Sequence, residues 1–107
     1  MPIEKDAFFL MLGIAMRAGA LTLGEDGVLK AISSGKASLV LVDASASSNT
    51  RKRFADSCAY YGVTLWQTQP GRLAAAIGKP GRMSAAVTGG TLCDKLRALA
   101  LEDAGEG

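Results

Sequence analysis

The run of residues 38–42, SLVLV, restricts how this chain can fold more than any other feature. It is aliphatic without the usual alternation, which is typical of a strand covered on both faces of its sheet. Such a strand needs helices above and below it. The rest of the chain fits that requirement, because helix-like and strand-like patterns alternate along it.

The other elements are predicted from apolar periodicity and from turn residues. Helices are expected over residues 4–17, 25–34, 49–61 and 91–101, with a short helix that has Pro70 at its first position. Strands are expected over residues 38–42, 63–67 and 84–88, with a very short one at 21–22. In the third helix Phe54, Ala55, Cys58 and Ala59 should face inward. The prediction is an α/β fold, a three-layer α/β/α sandwich with a mixed, mainly parallel four-stranded sheet.

The composition fits one globular domain. The 107 residues are 49% hydrophobic and 21% charged. We assign that domain to residues 1–101 and expect residues 102–107 to be an acidic disordered tail. No apolar run in the sequence reaches the ~18 residues of a membrane span. Glu4 and Asp6 precede the first apolar run, unlike in a signal peptide, so a soluble cytoplasmic protein is expected.

The side chains that usually perform catalysis are scarce. Histidine is absent, which removes the commonest metal ligand and the commonest general base. Cys58 and Cys93 form no CxxC pair and lie in apolar helical patterns, so both should be buried free thiols. We therefore predict a protein that is not an enzyme and that uses no cofactor and no metal.

The net charge of +2 hides an uneven distribution. Of the 12 Lys and Arg residues, ten lie between residues 27 and 101, where only Asp43, Asp56 and Asp94 are acidic. A basic body favours an anionic partner. A solvated surface of mixed charge explains the same pattern equally well.

The segment LGEDGVLK is the first candidate binding motif. Gly24 makes a turn before the second helix, whose first N–H groups are unpaired and suit the acceptors of an RNA backbone. Glu25 and Asp26 are also explained by the helix dipole alone. Gly27 costs about 1 kcal/mol relative to alanine in a helix, which suggests close approach of another backbone or of a ligand. Lys30 shares a face with Asp26, as an ordinary surface ion pair would.

Two basic segments are further candidates. NTRKRF places Arg51 and Lys52 in the first turn of a helix, where the dipole disfavours cations. A phosphate contact and a solvated turn explain this equally well. KPGRM is a turn with an apolar residue beside two cations, and an exposed loop of this kind can stack against a base. Its residues are Lys79, Pro80, Gly81, Arg82 and Met83.

Taken in order, six segments resemble the kink-turn-binding ribosomal protein family. They are LGIAMRAGALTLGED, VLKAISSGKASLVLVD, ASSNTRKRF, CAYYGV, AAAIGKPGR and AAVTGG. The family includes the archaeal ribosomal protein L-seven-Ae and small bacterial members of the YlxQ and YbxF type. The resemblance spans residues 8–97, nearly the whole chain.

The resemblance implies RNA binding at the glycine turn and the helix start, which in the family read a sheared G·A tandem in a bent RNA. Gly24 matches the turn glycine and Lys30 a lysine. Asp26 lies where archaeal members have asparagine, and Gly27 where they have glutamate. Residues 79–83 match the loop that packs near the RNA bulge.

We therefore expect an RNA surface made of Gly24, Lys30 and residues 79–83. Glu25 and Asp26 should orient it, while Arg51 and Lys52 should contact phosphates. Residues 43–47 should line the same surface, with Ala44 and Ser45 where the family has acids. The protein is expected to be a monomer whose partner is structured RNA, with ribosomal RNA as one candidate. No membrane and no metal is expected as a partner.

Two other functions stay open. A protein-interaction module on the same scaffold, with weak or no RNA binding, is compatible with the departures at Asp26 and Gly27. A nucleotide-binding or small-molecule-binding α/β domain ranks last, because the glycine-rich junctions lack a dinucleotide fingerprint and an acid about 20 residues further on.

Overall fold

The computed structural model describes the backbone of residues 2–3, 6–88 and 90–106 and the side chains of residues 6–88 and 90–99. Helices and strands alternate along the chain. In order they are β1 (Pro2–Ile3), α1 (Asp6–Arg17), β2 (Leu21–Leu23), α2 (Glu25–Ser33), β3 (Leu39–Asp43), α3 (Ser48–Tyr61), β4 (Thr64–Thr68), α4 (Arg72–Ile77), β5 (Ser84–Val87) and α5 (Gly90–Glu106).

The strands form one mixed sheet in the order β1-β4-β3-β5-β2. It contains the four predicted strands, β2 to β5, and the two-residue β1 at one edge. β3 lies at the centre, parallel to β4 and antiparallel to β5. The α/β sandwich with a mixed sheet is thereby confirmed.

Helices cover both faces of β3, as its apolar sequence predicts. Leu39 and Leu41 point into one core cluster with α1, α4 and α5. Val40 and Val42 point into a second cluster with α2 and α3. All five residues of β3 are buried, and full burial of each aliphatic side chain contributes about 1.5–3 kcal/mol.

Four of the five strands, β1 to β4, run in the same direction, and β5 alone runs the opposite way. β5 is antiparallel to both of its neighbours, β3 and β2. The connection from β4 to β5 explains this. α4 has six residues and is about 9 Å long, whereas a five-residue strand spans about 17 Å. α4 is therefore too short to return the chain to the end of the sheet where β4 begins. β5 starts at the end where β4 stops, and so runs in the opposite direction.

Two local predictions were wrong. α4 starts at Arg72 with Gly71 as its N-cap, so Pro70 lies before the helix and not at its first position. Ala55 and Ala59 are exposed, because only Phe54 and Cys58 of α3 face the core. α5 is assigned from Gly90 to Glu106, and the acidic disordered tail of residues 102–107 stays a prediction. None of the helices in the described part of the chain combines the length and apolar character that a membrane crossing requires.

The two thiols provide a test of the packing. Cys58 and Cys93 are free and buried, one in each core cluster. Burial raises the pKa of the Cys58 thiol to about 11, which disfavours the reactive thiolate.

We expect both thiols to react slowly with a maleimide in the native protein and rapidly in denaturant, as followed by mass spectrometry. Rapid labelling of both without denaturant would contradict the registers of α3 and α5.

Candidate functional site

Three chain segments meet at one edge of the sheet. β2 and β3 end there and β5 begins there, because β5 is antiparallel to both and lies between them. A surface cleft of about 250 Å³, the first cleft, opens where these segments meet. It is lined by Gly24, Glu25, Ala46, Ser47, Thr50, Gly81, Arg82, Met83 and Ser84.

Gly24 makes the sharp transition from β2 to α2. Its φ of 87° and ψ of 147° belong to a region that other residues rarely adopt. As the N-cap of α2 it has no side chain to offer, so no N-cap side chain covers the N–H groups of the first turn at the cleft that Gly24 and Glu25 line. The Arg82 guanidinium lies close by, since a Cβ added at Gly24 would be 4.0 Å from its Nη1. A helix N-terminus and a guanidinium thus share one opening.

Glu25 joins the start of α2 to the start of α3. The Thr50 hydroxyl donates to Glu25 Oε1 at 2.9 Å, and the Arg53 guanidinium pairs with Oε2. Ser47 caps α3 by accepting from the Thr50 N–H at 3.1 Å. The negative charge in the cleft wall is therefore neutralised by Arg53 across the two helices.

Asp43 holds the loops beneath the cleft. One carboxylate oxygen accepts from the Ser45 N–H at 2.7 Å and from the Ser45 hydroxyl at 2.6 Å. The other accepts from the Gly71 N–H at 2.9 Å. Burial by itself would raise the pKa of Asp43. The hydrogen bonds from the Ser45 side chain and from the Gly71 and Ser45 backbone outweigh burial and lower the pKa below its ordinary value of 3.8.

Two more bonds fix the loop after β3. The Asp43 N–H donates to the Met83 carbonyl at 2.8 Å, which ties this loop to the segment before β5. Arg51 Nε donates to the Ala46 carbonyl at 3.0 Å. Arg51 is thus half-buried and supports the cleft wall through its Nε, and its predicted phosphate contact stays a prediction.

The structure divides the predicted RNA surface. Gly24, Glu25 and residues 81–83 line the first cleft. Gly27 and Lys30 line a second cleft of about 290 Å³, together with Thr22, Ala31, Ser34 and Lys36. The division follows from helix geometry, because residues five apart, such as Glu25 and Lys30, point about 140° apart around an α-helix.

Five of the predicted site residues line neither cleft: the half-buried Arg51 and four others. Asp26, Lys52, Lys79 and Pro80 are all exposed. Among the described residues, no ion pair joins Asp26 to Lys30. The acidic side chain is therefore available to solvent one turn before the lysine.

Ala46 and Ser47 line the first cleft, within the segment 43–47 that was expected there, whereas Asp43, Ala44 and Ser45 do not line it. Sequence reasoning missed Thr50 and Ser84 in the first cleft, and Arg53 behind it. The only signal for Thr50 and Arg53 was their place in the NTRKRF segment. The separation of 25 residues between Glu25 and Thr50 hid their pairing.

Gly27 has a packing explanation. A Cβ at this position would lie 3.1 Å from Thr22 Cγ2, tighter than ordinary van der Waals contact. The absence of a side chain lets α2 approach β2 closely. The close approach inferred from the sequence is therefore to the Thr22 side chain.

Comparison with known proteins identifies the family. Residues 6–96 match the ribosomal protein L7Ae/L30e/S12e/Gadd45 family. The chain belongs to this family. The RNA-binding protein YlxQ of Bacillus subtilis (strain 168) is 41% identical over 93 residues, which cover 86% of this chain and 93% of the relative. The RNA-binding protein YlxQ of Enterococcus faecium is 36% identical over 81 residues, covering 75% and 79%.

Solved structures show the same fold. A protein with unknown function from Bacillus halodurans C has a TM-score of 0.84 and 32% identity, covering 90% of this chain and 98% of its own. The Giardia lamblia 15.5kD RNA binding protein has a TM-score of 0.78 at 17% identity, covering 95% and 92%. The second likeness concerns the fold alone.

Asp43 should be required for stability at neutral pH. In Asp43→Asn an amide NH₂ replaces one acceptor oxygen and faces a backbone N–H. We expect a loss of about 2 kcal/mol in the free energy of unfolding, typical of a hydrogen bond to a charged group, measured by urea denaturation at pH 7.

The pH dependence provides the control. Because the folded-state pKa is lowered, Asp43 stabilises the fold above its ordinary value of 3.8, and this contribution is lost as the pH falls through the folded-state pKa. The wild type should lose this contribution at low pH and the variant should not. An unchanged stability at pH 7 would show that the loops hold without Asp43.

Proposed function

We propose that this chain is a non-catalytic RNA-binding protein that recognises structured, kink-turn-like RNA through the first cleft. The observation that carries the proposal is the convergence of the α2 N-terminus, the Arg82 guanidinium and the exposed Met83 at one edge of the sheet. The names of the YlxQ relatives support RNA as the ligand. We further propose a cytoplasmic monomer with its binding domain in residues 1–101, and ribosomal RNA as one candidate partner.

The groups in the first cleft suit an RNA bend. Backbone N–H groups at a helix N-terminus, together with a guanidinium, bind phosphate or a guanine edge. Met83 is 41% exposed and offers an apolar surface on which an unstacked base can rest. Glu25 does not oppose an anionic ligand, because Arg53 already pairs with it.

A protein-interaction function is the second candidate. Leu10 is 72% and Ile14 43% exposed, one turn apart on α1. α1 and α2 pack on opposite faces of the sheet. A protein partner bound to Leu10 and Ile14 would therefore leave the first cleft free. Binding that weakens steeply with salt favours the RNA function over this one.

The proposed function is tested by comparing a kink-turn RNA with the same RNA carrying broken G·A pairs. The wild type should prefer the intact RNA. Arg82→Ala should weaken binding to it by at least 5-fold, since a guanidinium contact to a base contributes roughly 1–3 kcal/mol. Filter binding measures both affinities.

Arg17→Ala is the matched control, because Arg17 is an exposed arginine at the end of α1, remote from the cleft. It should bind as the wild type does. Equal affinity for the two RNAs, unaffected by Arg82→Ala, would leave only non-specific charge attraction and reject the assigned cleft.

The Glu25–Arg53 pair gives a second prediction. Arg53→Gln uncovers a carboxylate in the cleft wall, so it should weaken RNA binding several-fold at low salt. Glu25→Gln combined with Arg53→Gln has the wild-type net charge and should bind within about two-fold of the wild type. A double variant as weak as Arg53→Gln alone would indicate that Arg53 contacts the RNA directly.

A further inference from the structure

The second cleft is a separate polar surface beside the edge strand of the sheet. It lies between β2, which pairs only with β5, and α2. Thr22 lies on its β2 side, and Lys30, Ser34 and Lys36 line the rest with the small residues Gly27 and Ala31. Its volume of about 290 Å³ is similar to that of the first cleft.

The charge of this cleft is unbalanced. Lys30 and Lys36 are both exposed, and among the described residues neither ammonium group has an ion-pair partner. Two arginines near the first cleft differ, since Arg53 is paired with Glu25 and Arg51 is bonded to a carbonyl. Two unpaired ammonium groups beside a hydroxyl-lined groove are suited to a phosphate-bearing ligand.

The two clefts are placed so that one ligand reaches both. The first cleft lies at the N-terminus of α2 and Lys36 lies beyond its C-terminus. α2 has nine residues, which is about 14 Å at 1.5 Å per residue. A nucleic acid strand that follows this length carries several phosphates along it.

We infer that an RNA strand bound in the first cleft continues past α2 into the second cleft, where Lys36 and Lys30 neutralise its phosphates. This inference rests on the proposed function and adds to it a second contact region and a new binding residue, Lys36. Phosphate contacts position a ligand without reading sequence. Lys36 therefore contributes to affinity and to the length of RNA covered, and leaves the preference for intact G·A pairs unchanged.

The experiment measures RNA affinity as a function of salt for wild type, Lys36→Ala and Lys95→Ala. Lys95 is an exposed lysine of α5, on the opposite face of the sheet, so its removal changes the net charge equally. For Lys36→Ala the slope of log affinity against log salt should decrease by about 0.7–0.9. The ratio of wild-type to variant affinity should then shrink about three-fold between 50 and 200 mM salt. Lys95→Ala should keep the wild-type slope.

RNA length separates the two clefts. The kink-turn RNA is shortened by several nucleotides at each end in turn, enough to remove a stretch as long as α2. The shortened RNA that lacks the end reaching the second cleft should bind wild type and Lys36→Ala equally well. The other shortened RNA should keep the difference between them. Lys36 is exposed, so the variant should fold as the wild type does, which circular dichroism and urea unfolding check.

Each failure has a different signature. A wild type that binds no RNA overturns the proposed function itself. A wild type that prefers the intact kink-turn, with Lys36→Ala and Lys95→Ala giving the same slope, leaves the proposed function standing and overturns the role of the second cleft. Sensitivity to Lys36→Ala with both shortened RNAs overturns the continuous path across α2.

Discussion

The candidate site depends on the buried carboxylate of Asp43 at the end of β3. Its two oxygens accept hydrogen bonds from Ser45 and from Gly71, and so fix the loop before α3 and the turn before α4 with one side chain. Its own N–H donates to the Met83 carbonyl, which fixes the segment before β5. A charge this deeply buried is favourable only when several donors satisfy it, and here the same donors shape the cleft.

The charges around α2 are distributed in two ways. Glu25 is neutralised by Arg53 and hydrogen-bonded by Thr50, so the first cleft presents Arg82 and the helix N-terminus without an opposing carboxylate. Lys30 and Lys36 have no such partners among the described residues. The first cleft therefore combines directional donors with an apolar surface, whereas the second offers unpaired charge. Directional contacts provide recognition, and charge provides affinity.

Gly27 shows how packing explains a residue that at first resembles a binding feature. A glycine inside a short helix suggested a ligand or another backbone, whereas the group that approaches is the Thr22 side chain of the adjacent edge strand. The same contact brings α2 against β2 and so forms the floor of the second cleft. Arg51 is a similar case, since its guanidinium supports the loop at Ala46.

The sequence by itself determined the features that depend on local pattern. The unbroken apolar run of β3 required helices on both faces, and Gly24 marked a turn whose φ only glycine adopts easily. Tertiary structure alone decided the direction of β5 and the pairing of Glu25 with Thr50 and Arg53. Local periodicity specifies which side of an element is buried. It carries no information about strand direction or about contacts between residues 25 or more positions apart, which form only when the helices pack on the sheet.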